Sequence, residues 1–406
     1  MIDALKNFSI DKSDWTPVKF GDVVYEPRVS VKDPGAAGIE HVVGLEHIDS
    51  EDIHLRRSAS IEDGTTFTKK FDVGDVLFGR RRAYLKKAAK ADFSGICSGD
   101  IIVMRAKENL LPDLLPFIVN NDNFFDFAIK HSAGGLSPRV KFKDLAEYEF
   151  LLPPIKIQSS IVNLLQSCDQ TTQTTRRSMD LAAIVLQSLR EREMFQPIEA
   201  TNRVFNRRLK RFVSEGIEFS RLEDFVTLVK YGTSKKGNNN FTGYKSIGIP
   251  NVINERLSVN KTGFVDLKNS EYASCKLYWG DIVIVRTNGN PDYTGRSALY
   301  NLNEGHVFAS YLIKVSPIKE IMDPEFLSRY LQTKTIRRFF RRHATSTAGN
   351  YNINSNTIKS VPVPNLKIEA QREVVKKLKF AEHSLDKLTQ QTALSVDLNK
   401  SFTNQF

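Results

Sequence analysis

The side chains of this chain best suited to chemistry are cations and amides, and they follow matching landmarks in two halves. Arg80, Arg81 and Arg82, with Tyr84, Lys86 and Lys87, come directly after Gly74-Asp75-Val76-Leu77-Phe78-Gly79. Arg286, Asn288, Asn290, Tyr293 and Arg296 come after Gly280-Asp281-Ile282-Val283-Ile284-Val285. Arginine can meet guanine, and asparagine adenine, through paired hydrogen bonds in a major groove, while neighbouring cations hold phosphates. A second pair of segments repeats the arrangement. Ser132 to Lys141 is a glycine-bearing loop ending in Ser137, Arg139 and Lys141, and its counterpart, Ser346 to Asn354, carries Asn350, Tyr351 and Asn352. Arg337, Arg338, Arg341 and Arg342 fall one, three and four apart, which places them on one face of a helix beside His343. Lys235 and Lys236 lie in another glycine-bounded loop, between Gly232 and Gly237. All of these side chains are candidates for DNA contact.

Enzyme machinery is not visible. Gly232 and Gly237 have the spacing of a phosphate-binding loop, but no Lys-Ser/Thr pair follows. No Gly-x-Gly-x-x-Gly motif follows a strand in a dinucleotide-binding context, and the seven histidines form no metal-ligand spacing. Asn290-Pro291-Asp292-Tyr293 is similar to the Asn-Pro-Pro-Tyr motif of DNA adenine methyltransferases, with Asp292 in place of the second proline and no glycine-rich cofactor loop upstream. The same residues read as a polar loop between strands; an adenine methyltransferase centred on them is the enzyme alternative. Cys97, Cys168 and Cys275 are far apart and fit neither a zinc site nor a disulfide framework, so a reducing cytoplasm is expected. The N-terminal residues lack an apolar signal core, and no apolar run is long enough to cross a membrane.

Charge is unevenly placed. The chain carries a net +11, yet residues 1–153 hold 21 Lys+Arg against 24 Asp+Glu, while residues 197–363 hold 25 against 14. A basic domain of that kind suits a polyanion.

The elements that position these side chains are duplicated as well. At 406 residues, two or more domains are expected. Asp75 to Phe78 and Ile101 to Met104 read as short strands, with counterparts at Ile282 to Val285 and Tyr311 to Val315. Helical stretches follow at Leu114 to Lys130 and Pro324 to His343, placing His131 and His343 at equivalent ends. Residues 155–196 and 365–406 contain neither glycine nor proline, and prolines precede both. Forty residues at 1.5 Å each make a helix of roughly 60 Å. The first has an apolar stripe at Ile161, Leu164, Cys168, Thr171, Thr175, Ala182, Val185 and Leu189. The second has one at Val374, Leu378, Ala381, Leu385, Leu388, Thr392 and Ser395. Thin stripes of equal length predict that the helices pair antiparallel, with the globular parts at opposite ends. The expected architecture is α+β: two similar α/β recognition domains, residues 1–153 and 197–363, separated by helices at 154–196 and 364–406 in a coiled-coil-like spacer. Residues 197–218, with Arg203, Arg207, Arg208, Lys210 and Arg211, read as a basic linker.

The order of motifs carries a family likeness. Trp15, Lys19 to Val23, Gly74 to Leu77, Gly134-Gly135, Leu145, Leu152-Pro153-Pro154, Gln158, Ile161-Val162 and a long helix are echoed by Arg221 to Phe225, Gly280 to Val283, Gly349, Ile358, Pro362 to Pro364, Gln371, Val374-Val375 and a second helix. This resembles the DNA-specificity subunit of type I restriction-modification systems over nearly the whole chain. One departure is the run from Pro364 to Gln371, which is longer than that from Pro154 to Gln158. The resemblance implies that each globular part reads one half of a bipartite, asymmetric site in double-stranded DNA, and that the helices set the gap between halves. It implies partners: two modification subunits, which carry S-adenosylmethionine, and restriction subunits, which use ATP. The chain itself would hold no cofactor or metal and no catalytic group. A related two-component system, in which one partner both methylates and cuts, is the variant of this reading.

Overall fold

Both glycine- and proline-free segments form single helices, Ile155–Phe195 and Ile368–Thr403, in a computed structural model that describes residues 10–196, 202–238, 240–347 and 349–405. The entry to each is set by one buried glutamine. Gln158 donates to the carbonyls of Pro153 and Asn109, both at 3.0 Å, and accepts from the Leu111 amide. Gln371 donates to the carbonyls of Leu366 and Ile321 and accepts from the Asp323 amide at 2.8 Å. Each glutamine thus bonds the carbonyl five residues before it, so the extra residues after Pro364 leave the entry geometry the same in both halves.

The chain folds as two compact units, one comprising residues up to Met179 with Leu388 onward, the other Asp180–Lys387. Each globular part is therefore grouped with the lengths of helix that pack on it.

In the first unit a four-stranded antiparallel sheet runs in the order Val24–Tyr25, Ile101–Ala106, Val76–Gly79, Ala88–Lys90. A smaller mixed sheet contains His41–Val43 parallel to Gly95–Cys97. Thr16–Lys19 pairs with Glu149–Leu152 and leads into the first long helix. The core includes Phe20, Phe78, Phe124 and Phe125, and takes in Ile161, Val162 and Leu165 of the first helix and Phe402 of the second. The helices run antiparallel here: Thr172 meets Ser395 hydroxyl to hydroxyl at 2.9 Å. His54 ties the globular part to the helix through Asp169 at 2.7 Å.

The second unit repeats the plan. Its main sheet runs Val226–Tyr231, Leu312–Pro317, Ile282–Val285, Ser297–Leu299, again antiparallel throughout. Tyr244–Ile247 lies parallel to Val307–Phe308, and Phe219–Arg221 pairs with Pro362–Pro364. Leu186 and Leu189 of the first helix share a core with Val374, Leu378, Ala381 and Leu385 of the second. Glu382 holds both Arg190 and Arg329, at 3.4 and 2.7 Å.

Three sequence expectations are corrected. Each mid-domain helical stretch breaks in two, at Leu115–Val119 and Asp122–Lys130 in one half and Pro324–Leu331 and Lys334–His343 in the other. Asn121 and Thr333 cap the second pieces, their side chains accepting amides that a continuous helix would have used. Residues 202–218 are not a loose linker. Arg203–Asn206 and Arg211–Ser214 form a hairpin that buries Leu209 and Val213, and Arg211 sits 4.2 Å above the Phe195 ring and pairs with Glu191. Residues 197–201 of the expected linker lie outside the described residues.

The first helix's stripe is also shifted in phase. Leu164 is 40% exposed while Leu165 is buried; Val185 is 63% exposed while Leu186 is buried; Thr172, not Thr171, is inside. Adjacent apolar residues at 164–165 and 181–186 allow two helical phases, and only packing selects one. The stripe of the second helix is buried or half-buried as expected from Val374 to Ser395.

Candidate nucleic-acid interface

The Gly-Asp landmarks are structural. Gly74 and Gly280 take φ of +90° and +96°, which a side chain would resist. Asp75 and Asp281 then close the turn by accepting the amides three residues earlier, Asp72 and Tyr278, both at 2.8 Å. The strand that follows leads directly into Arg80 in one half and Arg286 in the other. The Arg80 carbonyl accepts from the Val140 amide at 3.1 Å, and the Arg286 carbonyl from the Ile353 amide at 2.9 Å. Strand end and glycine-bearing loop are thereby joined identically, with Val140 and Ile353 buried as the joint. His131 and His343 mark the same correspondence: the Nδ1–H of each donates at 2.8 Å to the carbonyl four residues back, and each ring packs on that residue's ring, Phe127 or Phe339.

On this frame the first unit carries arginines. Arg81 and Arg139 face each other across the joint and share Asp100, at 3.4 and 2.7 Å. Hydrogen bonding from Arg139, then from Arg81, holds the Asp100 carboxyl below its ordinary range despite partial burial. Ser137 accepts from Arg81 at 3.2 Å, and Arg80 donates to the Val140 carbonyl. Arg82 has a left-handed backbone, φ +55°, and is exposed together with Tyr84 and Lys141. Lys86 is placed elsewhere: its ammonium pairs with Asp122 at 2.5 Å, in a network with Glu51 and Lys400 beside the long helices.

On the same frame the second unit carries amides and an aromatic. A three-stranded sheet sets Thr287–Asn288 beside Asn350–Asn352 and then Thr345–Thr347, so that Asn288, Tyr351 and Ser346 stand in one row. The Asn290 to Tyr293 segment is a tight turn, with Asn288 accepting the Asn290 amide and Asn290 the Asp292 amide, both at 2.9 Å. Arg296 stacks 3.6 Å over the Tyr293 ring and Arg286 5.0 Å over Tyr231. Thr294 joins this turn to the Tyr351 carbonyl, and Asp292 joins it to the basic helix. There Pro291, Asp292, Lys334, Arg337, Arg338 and Arg341 surround a cleft of about 200 Å³. Burial, aided by Arg296, brings the Arg337 guanidinium down to about 10, still charged at neutral pH, and one of its buried N–H groups lacks a partner. Arg342 donates to the Arg208 carbonyl. Lys235 pairs with Glu271 of the short helix Asn269–Cys275 at 2.7 Å, and Lys236 is exposed.

Sequence reading missed three participants. Asp100 and Asp292 are the carboxylates that neutralise the arginines, and nothing in their neighbours announces a partner distant in sequence. Lys334 was detectable: it precedes Arg337, Arg338 and Arg341 by three, four and seven residues, the spacing of one helical face. Among the described residues, no group of three or more side chains could hold a metal ion, and no helix is long and apolar enough to cross a membrane.

Fold and site together define a duplicated α+β scaffold that presents unlike polar surfaces on two copies of one frame. The chain belongs to the type I restriction modification DNA specificity domain family, whose pattern it matches twice, over residues 12–180 and 214–396. It is similar to the putative type I restriction enzyme MjaX specificity subunit of Methanocaldococcus jannaschii, with 24% identity over 47% of this chain and 44% of that protein. It is also similar to the EcoKI specificity subunit of Escherichia coli K12, with 22% identity over 61% of this chain and 53% of that protein. The chain thus spans about half the length of these relatives. Among solved structures, the fold matches a chain from a type I R-M system studied for complex assembly and conformational transition (TM-score 0.62, 18% identity, 98% of this chain and 100% of that one). It also matches a type I S subunit from M. genitalium (TM-score 0.54, 13% identity, 98% of both chains).

Proposed function

We propose that this chain is the noncatalytic DNA-reading subunit of a type I restriction-modification complex, each unit reading one half of a bipartite, asymmetric site. The observation that carries this reading is the identical joint at Arg80–Val140 and Arg286–Ile353, bearing arginines in one half and amides with tyrosine in the other. One frame with two readouts fits two different half-sites. In the first unit Arg80, Arg81, Arg82, Tyr84, Ser137, Arg139 and Lys141 face the DNA. In the second, Asn288, Asn350, Tyr351 and Asn352 read bases, while Arg337, Arg338 and Arg341 hold phosphate.

The two long helices act as the spacer that sets the unread gap, and they dock two modification subunits. Support for docking comes from Leu181, Ile184 and Val185 on one helix, and from Phe380 on the other, 78% exposed, all turned away from the packed seam. The modification subunits bring S-adenosylmethionine and the restriction subunits ATP; this chain brings neither, and it works in the cytoplasm.

Replacing residues 219–363 with the equivalent domain of another specificity subunit tests the reading. Only one half of the methylated motif should change. A change in both halves, or in neither, would overturn it.

A further inference from the structure

Leu136 is 98% exposed, the most exposed large apolar side chain among the described residues. Its position is built. The loop leaves and rejoins the domain through paired hydrogen bonds between Ala133 and Arg139, at 3.0 and 2.9 Å. Arg139 is further held by Asp100, Ser137 by Arg81, and Pro138 by the Arg82 amide at 2.9 Å. Between these anchors stand Gly134, Gly135, Leu136 and Ser137, with Gly134 at φ +115°, a backbone open to glycine. A rigid stalk thus carries one bulky apolar tip, and its flanks are Arg82, Arg139 and Lys141, all exposed cations. Protein partners commonly cover apolar tips with more apolar surface around them; here the surroundings suit a polyanion.

We infer that Leu136 is a wedge that enters between two stacked bases of the half-site read by the first unit. The inference rests on the proposed DNA-reading function. Apolar side chains inserted at a base step unstack it and bend the duplex, and leucine is among those that do so. Arg82 and Lys141, which no carboxylate neutralises among the described residues, would hold the phosphates on either side of the opened step, and the backbone anchors would keep the tip from folding back. In the second unit Ser346 pairs with Tyr351, and the sequence between them, Thr347-Ala348-Gly349-Asn350, has no large apolar residue. The distortion therefore belongs to one half-site only, and sequence preference at that step arises from how easily it unstacks rather than from a hydrogen bond.

The test uses the full chain assembled with its modification subunits, without methyl donor, on duplexes in which 2-aminopurine replaces single bases across both half-sites. Positions methylated by the complex are left out, because the partner's own base flipping would report there. Wild-type complex should raise the fluorescence several-fold at one step of the first unit's half-site and at no step of the other. Leu136→Ala should abolish that rise while weakening binding less than about tenfold, since the phosphate contacts remain. Leu136→Met should keep it. A rise that survives in Leu136→Ala, or tight binding by wild type with no rise at any step, overturns the wedge and leaves DNA reading intact. Failure of the wild-type complex to bind any duplex overturns DNA reading itself.

Discussion

Asp292 occupies the centre of the second unit's cation cluster, pairing with Arg341 at 3.2 Å and offering its carbonyl to Arg337. A carboxylate there competes with a phosphate for the same guanidinium groups. Asp292→Asn is expected to raise affinity for duplex DNA about three- to tenfold and to steepen the salt dependence by about one counterion. Unchanged affinity in a salt titration would mean that Arg341 does not reach phosphate. His54 supplies a second residue-scale prediction. Its hydrogen bond to Asp169, with help from Asp52 and against burial and Arg56, holds its pKa above the ordinary histidine value. The contribution is complete below about pH 6.5, the unfolded value, and fades as pH rises through the higher folded value. Melting temperature should fall over that range in wild type and stay flatter in His54→Asn. At this scale the sequence disclosed the basic triplet at 80–82 and the amides at 288–290 and 350–352. It did not disclose Asp100 or Asp292, because a charge's partner across a fold leaves no mark in its own neighbourhood. Lys86 misled for the same reason: it sits in the basic run yet serves Asp122.

At the scale of elements, the paired glutamines are the strongest sign that the helix entries are one device used twice. Gln371 satisfies three backbone groups, the Ile321 and Leu366 carbonyls and the Asp323 amide. Gln371→Leu would leave those groups unsatisfied in a buried place and should cost about 2–4 kcal/mol. A melting curve within about 1 °C of wild type would contradict that role. Removing seven residues from each long helix shortens the pair by about 10 Å, and should shorten the unread gap by about three base pairs without altering either half-site. Altered half-site bases with an unchanged gap would contradict the spacer role. The helices were legible from the absence of glycine and proline and from the upstream prolines. The phase of the first was not, since Leu164-Leu165 and Leu181 to Leu186 fit two faces equally well and tertiary packing chose between them. The hairpin at 203–214 was hidden by its charge: Arg203, Arg207, Arg208, Lys210 and Arg211 mask the two apolar residues, Leu209 and Val213, that dock it.

Across the whole molecule, duplication conserved the frame and released the surface. The main sheet keeps its order, the glutamines and histidines keep their bonds, and the net charge runs from −3 over residues 1–153 to +11 over residues 197–363. The repeat was readable because turn glycines, caps and buried glutamines are fixed by backbone geometry. The bases read are not, because they depend on how loops and water settle against DNA. On the proposed function, one chain reads two unlike half-sites across an unread gap. Methylome sequencing of cells expressing this chain with its modification subunits tests it most directly. Adenine methylation is expected at a single bipartite motif whose two halves differ and are separated by a fixed run of unspecified bases. A continuous motif, a palindromic one, or methylation that does not depend on this chain would contradict it.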